Sequence, residues 1–129
     1  MNELRKIVRN VIKESMFPLS DPPMYGDSDY KNRGGKIFYK NPNEFLELVP
    51  ELKMDDATIE NIEDLKSHME SGREIDPPTL YVSGDHVINH DGRHRAYAAI
   101  EMGLSEIPIL VIDSDNVVNS FPTNRQLKM

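Results

Sequence analysis

The sequence predicts an α/β (α+β) domain, a small mixed sheet with packed helices, on three observations. Val87 to Gly103 reads as a strand, a glycine turn and a helix. Two earlier stretches repeat apolar residues at helical spacing. Ile107-Pro108-Ile109-Leu110-Val111-Ile112 is a nearly all-apolar run of strand length, as expected of a strand buried on both faces. At 129 residues the chain is long enough for a core without a disulfide or structural metal, and one domain accounts for it.

Residues 1–17 form the first segment, where Leu4, Ile7, Val8, Val11 and Ile12 make one apolar stripe opposite a face rich in Lys and Arg. Pro18 ends this helix, which packs on the domain or meets a partner. Residues 18–36 turn to Pro, Asp, Ser, Tyr, Asn and Gly, the composition of an irregular loop. Tyr25, Tyr30, Lys31 and Arg33 sit in it, either solvated or placed to close over a ligand.

Residues 37–112 hold the main domain. Ile37-Phe38-Tyr39 is a short strand, and Asn41-Pro42-Asn43-Glu44 then has the pattern of a capping box, with Asn41 as cap and Glu44 three residues on. Glu44 has a second reading, as a carboxylate aimed into a site, acting as base or metal ligand. Asp55–Ser71 is an amphipathic helix with Ile59, Ile62, Leu65 and Met69 inward and Glu60, Glu63 and Asp64 outward, stopped by Gly72. His68 near its end suits the helix dipole and is not read as a ligand. Thr79–Val82 and Val87–His90 form a hairpin, and Arg93–Met102 is a helix stopped by Gly103. Residues 113–129 are a polar tail that wraps the surface or frays.

Composition excludes several functions. The chain has no cysteine, so thiol nucleophiles, disulfide frameworks and thiolate metal sites are all absent, in keeping with a reducing cytosol. The net charge is −7, and residues 34–78 alone hold eleven Asp or Glu against five Lys or Arg. That balance argues against a surface that coats nucleic acid, whose affinity rests on neutralising phosphates. Apolar runs fall short of a membrane span, and acidic Glu3 and Glu14 do not suit a targeting sequence. The expected location is the cytoplasm of a bacterial or phage-infected cell.

The chemistry concentrates in Asp91-Gly92-Arg93-His94-Arg95. A helix start offers free N–H groups and a positive dipole end, so it favours an anion, and three basic or titratable side chains there add charge-assisted donors. Gly92 permits a close backbone approach, Arg93 and Arg95 are read as a clamp on a polyphosphate, and Ala96, Ala98 and Ala99 keep the helix thin against the sheet. Tyr97 packs or flanks a base. Asp91 either caps the helix or binds Mg²⁺, orients His94 or acts as a base. His90 and His94 bracket the turn and give only a faint zinc signal.

From Ile59 onward the order of elements resembles the ParB/sulfiredoxin superfamily. The residues that carry the likeness are Ile59, Ile62 and Leu65 on a helix, Gly72, Pro77-Pro78 before a strand, a hairpin, Asp91 to Ala99, Gly103 and Ile107-Pro108. ParB proteins have a Gly-Glu-Arg-Arg turn that binds a nucleotide triphosphate, sulfiredoxin has Gly-Cys-His-Arg, and related serine kinases have Asp-Gly-His-His-Arg-like turns. Asp-Gly-Arg-His-Arg is most similar to the ParB-like domains of phage and mobile-element proteins. The position of sulfiredoxin's catalytic cysteine is Arg93 here, so sulfinic acid reduction is excluded. ParB chains continue into DNA-binding and dimerisation domains, whereas this sequence ends soon after the last strand, which speaks against centromere binding.

The resulting expectation is a nucleotide (ATP, ADP or CTP) or another phosphorylated ligand, with Mg²⁺, held by Gly92, Arg93, His94 and Arg95. If turnover follows, the class is phosphoryl transfer or nucleotide hydrolysis, with Asp91, His94 and Glu44 as the reacting groups and Asp91 as the metal contact. An alternative is a non-catalytic phage or host interaction protein that keeps the fold and uses the 1–17 helix and the loop as contact surfaces. A third, DNA binding or nuclease activity, runs against the net charge.

Overall fold

The computed structural model describes residues 16–127, so the predicted helix of the first segment lies outside the described residues, apart from its last positions. Four strands form one mixed sheet: β1 (Lys36–Lys40), β2 (Thr79–Ser83), β3 (His86–Asp91) and β4 (Ile107–Asp113), in the order β1-β4-β2-β3. β4 runs antiparallel to β1 and parallel to β2, and β2 and β3 form the hairpin. All seven residues of β4 are buried, as its unbroken apolar run requires at the centre of a sheet.

Three helices pack on one face: α1 (Pro42–Leu46), α2 (Asp56–Glu70) and α3 (Arg93–Glu101). Ile107, Ile109 and Val111 of β4 face them, together with Phe45, Ile62, Met69, Ala96 and Ala99. Lys66 of α2 joins the two long helices across the surface, 3.2 Å from Glu101. The inward stripe of α2 differs from expectation at one position: Thr58 is buried, whereas Ile59 is 48% exposed. At 3.6 residues per turn, Thr58, Ile62, Leu65 and Met69 cluster along one line and Ile59 stands about 90° from it.

Leu110 and Ile112 alternate to the opposite face of the sheet, where Tyr30, Ile37 and Tyr81 meet them. The 18–36 segment therefore covers a sheet face rather than standing free. It contains a 3-10 turn, Tyr30–Arg33, and is fixed by polar contacts. Tyr30 Oη donates to Asp21 at 2.8 Å, Tyr81 Oη donates to Asp27 at 2.6 Å, and Arg33 pairs with Asp27 at 2.8 Å. Burial and the Asp21 carboxylate push the Tyr30 phenol upward in pKa.

The tail wraps the surface. Val118 is buried and its N–H reaches the Gly34 carbonyl, and Phe121 meets Phe38 edge-on with ring centroids 5.7 Å apart. Asn124 then pairs with the start of β3, and Gln126 holds both Leu48 and His90. Among the described residues, no helix is long and apolar enough to cross a membrane.

Candidate functional site

β3 continues one residue further than the sequence pattern suggests, so Asp91 is the last strand residue and Gly92 is the N-cap of α3. The capping role considered for Asp91 is thereby corrected, because no side chain caps this helix. Gly92 has φ +109°, and a Cβ there would lie 2.7 Å from Arg95 Nη2 and 2.8 Å from the Pro78 Cα. Only glycine fits a left-handed backbone pressed this closely on its neighbours. The result is a helix start with exposed dipole charge and free N–H groups. Ala96, Ala98 and Ala99 are fully buried and hold that start against the sheet, while Tyr97 is half-buried and packs on the core.

The three side chains that follow diverge. Arg93 Nη1 donates to the carbonyls of Pro50 and Glu51, at 3.1 and 3.2 Å, tying α3 to the link between α1 and α2. Arg95 turns the other way and pairs with Asp91 at 3.4 Å. Its side chain is 19% exposed, and its Nε is buried with no hydrogen-bond partner. Residues two apart on a helix stand about 200° around its axis, so the expected two-arginine clamp is not formed. His94 lies between them, half-buried and near the Asp55 carboxylate that caps α2. Asp55 is held below the usual carboxylate range chiefly by the Thr58 N–H it accepts at 2.8 Å, with a smaller contribution from the His94 charge.

A pocket of about 360 Å³ opens where Arg95 points. One wall is Asp91, Gly92, His94 and Arg95; the other is Asn61, Asp64, Leu65 and His68 of α2. A second hollow of about 230 Å³ shares Leu65, His68 and Arg95 with the first and extends to Met24, Tyr25 and the 73–76 segment. Sequence reading missed the α2 wall. Asn61, Asp64 and His68 follow at intervals of three and four, the spacing of one helix face; Asp64, expected simply outward, and His68, expected only to suit the helix dipole, both line the pocket.

Other predicted groups lie elsewhere. Glu44 completes the capping box: its carboxylate accepts the Asn41 N–H at 3.0 Å, while Asn41 accepts from Asn43 at 2.9 Å, and Glu44 does not line the pocket. His90 is engaged by Gln126, its Nδ1 2.6 Å from the amide oxygen. Of the four loop side chains singled out in the sequence, Tyr30 is buried, Lys31 and Arg33 face Asp21 and Asp27, and Tyr25 reaches the second hollow. Among the described residues, no three His, Cys, Asp or Glu side chains gather to hold a metal ion. Comparison with protein-family models, with curated proteins and with solved structures found no match to this chain.

Proposed function

We propose that this domain binds a nucleotide or another phosphorylated ligand in the pocket between α2 and α3, with Arg95 as the main contact. The observation that carries this reading is the Arg95 guanidinium, whose Nε is buried and unpaired beside a pocket. The guanidinium lines the pocket with only one 3.4 Å ion pair, to Asp91, and a phosphoryl oxygen there would accept charge-assisted hydrogen bonds from it, worth about 1.5–3 kcal/mol each. The uncapped start of α3 adds N–H donors of the kind that hold phosphates, and His94 and His68 flank them. The resemblance of Asp91–Arg95 to ParB-like turns points the same way.

Mg²⁺ fits the proposal. Asp64 and Asp91 line the same pocket and would repel an uncompensated polyphosphate. Mg²⁺ is commonly held by one or two carboxylates together with the phosphates of the ligand, which turns the same two acids into an asset. ATP, ADP and CTP are the ligands to try first. Glu44, one of the two carboxylates considered for orienting an attacking group, is taken up by the α1 capping box, so if turnover follows, Asp91 is the carboxylate in the pocket for that role.

Isothermal titration with each nucleotide and Mg²⁺ tests the proposal, with phosphate release followed in parallel. The expected result is binding that weakens at least tenfold in Arg95→Ala. Absence of heat for all three nucleotides overturns it.

A further inference from the structure

We propose that residues 1–15 seat their apolar stripe in a methionine-lined hollow at the C-terminal ends of α2 and α3. The stripe then serves the fold of its own chain rather than contact with a second protein. The hollow has a volume of about 930 Å³ and shares no lining residue with the pocket at Arg95, so it stands apart from the phosphate site.

Met16, Phe17, Pro18, Met69 and Met102 give the hollow its apolar lining. Phe17 and Met69 are buried in the main core, whereas Met16, the first of the described residues, is 62% exposed. Methionine side chains are unbranched and adapt to the apolar surface that meets them, which suits a seat for branched Leu, Ile and Val side chains.

The backbone delivers residues 1–15 to this rim. The Ile75 N–H donates to the Pro18 carbonyl at 2.7 Å and the Ser20 N–H to the Ile75 carbonyl at 2.9 Å, so the segment that opens at Met16 is pinned beside the hollow. A segment tied this closely meets its seat at an effective concentration on the order of millimolar. Leu4, Ile7, Val8, Val11 and Ile12 recur at helical spacing, a stripe about 12 Å long at 1.5 Å per residue. Charge agrees. Glu70 lines the hollow and has no ion pair among the described residues, and Ser71 and Met102, the C-caps of α2 and α3, bring two negative dipole ends to the same place. Residues 1–15 carry Arg5, Lys6, Arg9 and Lys13 against Glu3 and Glu14, a balance that such a rim attracts. A second copy would bring the same stripe without the tether, and a net charge of −7 on each copy opposes its approach.

The chain has neither cysteine nor tryptophan, so both can be placed as single reporters in the 129-residue protein. Ser71→Cys puts a thiol at an exposed residue of the hollow. Paired with it, Val8→Cys and Val11→Cys on the stripe are expected to close an intramolecular disulfide about tenfold faster than Lys6→Cys and Lys13→Cys, since a disulfide needs Cα atoms within about 7 Å. The lysine positions bracket the valines in sequence, so tether length does not explain the difference. In a second measurement, Met16→Trp is expected to emit at shorter wavelength than the same variant carrying Val8→Asp and Val11→Asp, which break the stripe. Equal disulfide rates on both faces, with tryptophan emission indifferent to the broken stripe, overturn the docking. Disulfides that form between chains in preference to within one overturn it as well and assign the stripe to a second copy.

Discussion

The two banks of the α3 start differ in how fully their hydrogen bonds are used. On the α1 side, Asn41 and Glu44 satisfy one another's backbone groups and Arg93 closes on two carbonyls. On the α2 side, Arg95 has one long ion pair and a buried nitrogen with no partner, and its side chain lines a pocket with two acids and two histidines. Two arginines of the same helical turn thus have opposite physical roles. A saturated cation holds the fold, and an unsaturated one beside a cavity is where a ligand gains most, since its partner groups are still unpaired.

Gly92→Ala breaks both banks at once and carries the largest expected effect. The variant must hold alanine at φ +109° with its Cβ against Arg95 and the Pro78 backbone. A loss of about 2–4 kcal/mol is expected from urea unfolding, with nucleotide binding lost as well. Unfolding like that of the parent protein would mean that the turn relaxes freely and positions nothing.

The arginines separate the banks. Arg95→Ala is expected to weaken a Mg²⁺–nucleotide about 10- to 100-fold, the worth of charge-assisted hydrogen bonds to phosphate. Its stability should stay within about 1 kcal/mol of the parent, because the side chain removed has an unpaired nitrogen in the free protein. Arg95→Lys restores charge without the planar fork and recovers only part of the affinity. Arg93→Ala should do the reverse, costing about 1 kcal/mol in stability through two abandoned carbonyls and leaving affinity nearly intact. Equal loss of binding in both arginine variants would return the site to a two-arginine clamp and sink the contrast between the banks.

Much of this was legible in the sequence, and what was not has physical causes. Local grammar fixed the easy parts: Asn41 to Glu44 is a capping box, and the apolar 107–112 run is the buried centre of the sheet. The turn at Gly92 was located, yet its cap was not, because Asp91 stays in the β3 ladder opposite Thr79 and leaves glycine at the N-cap. The split of Arg93 from Arg95 was implicit in their spacing of two. What each then meets depends on long-range packing, with the 50–51 link on one side and α2 on the other. Tyr25 beside Arg95 is wholly a product of the fold, since the loop is carried there by Asp76, some fifty residues away in sequence.

The smallest expected effect concerns pH and the head of α2, which forms the open bank. The Asp55 carboxylate accepts the Thr58 N–H and lies near His94, and its pKa is lowered chiefly by that backbone hydrogen bond. A carboxyl depressed in the folded state binds protons more readily when unfolded, so stability rises with pH across its titration. Its contribution is complete above the unfolded carboxylate value of about 4 and disappears as pH falls through the lower folded value. Asp55→Asn keeps a capping oxygen without the charge. Unfolding in urea at pH 7 should therefore change little, while the decline from pH 4 to pH 3 becomes shallower than in the parent protein. An equal decline in both would place the acid sensitivity elsewhere, with Asp27 next in line: its burial opposes ionisation, but the hydrogen bonds from Tyr81 and Arg33 prevail and lower its pKa on the far face of the sheet.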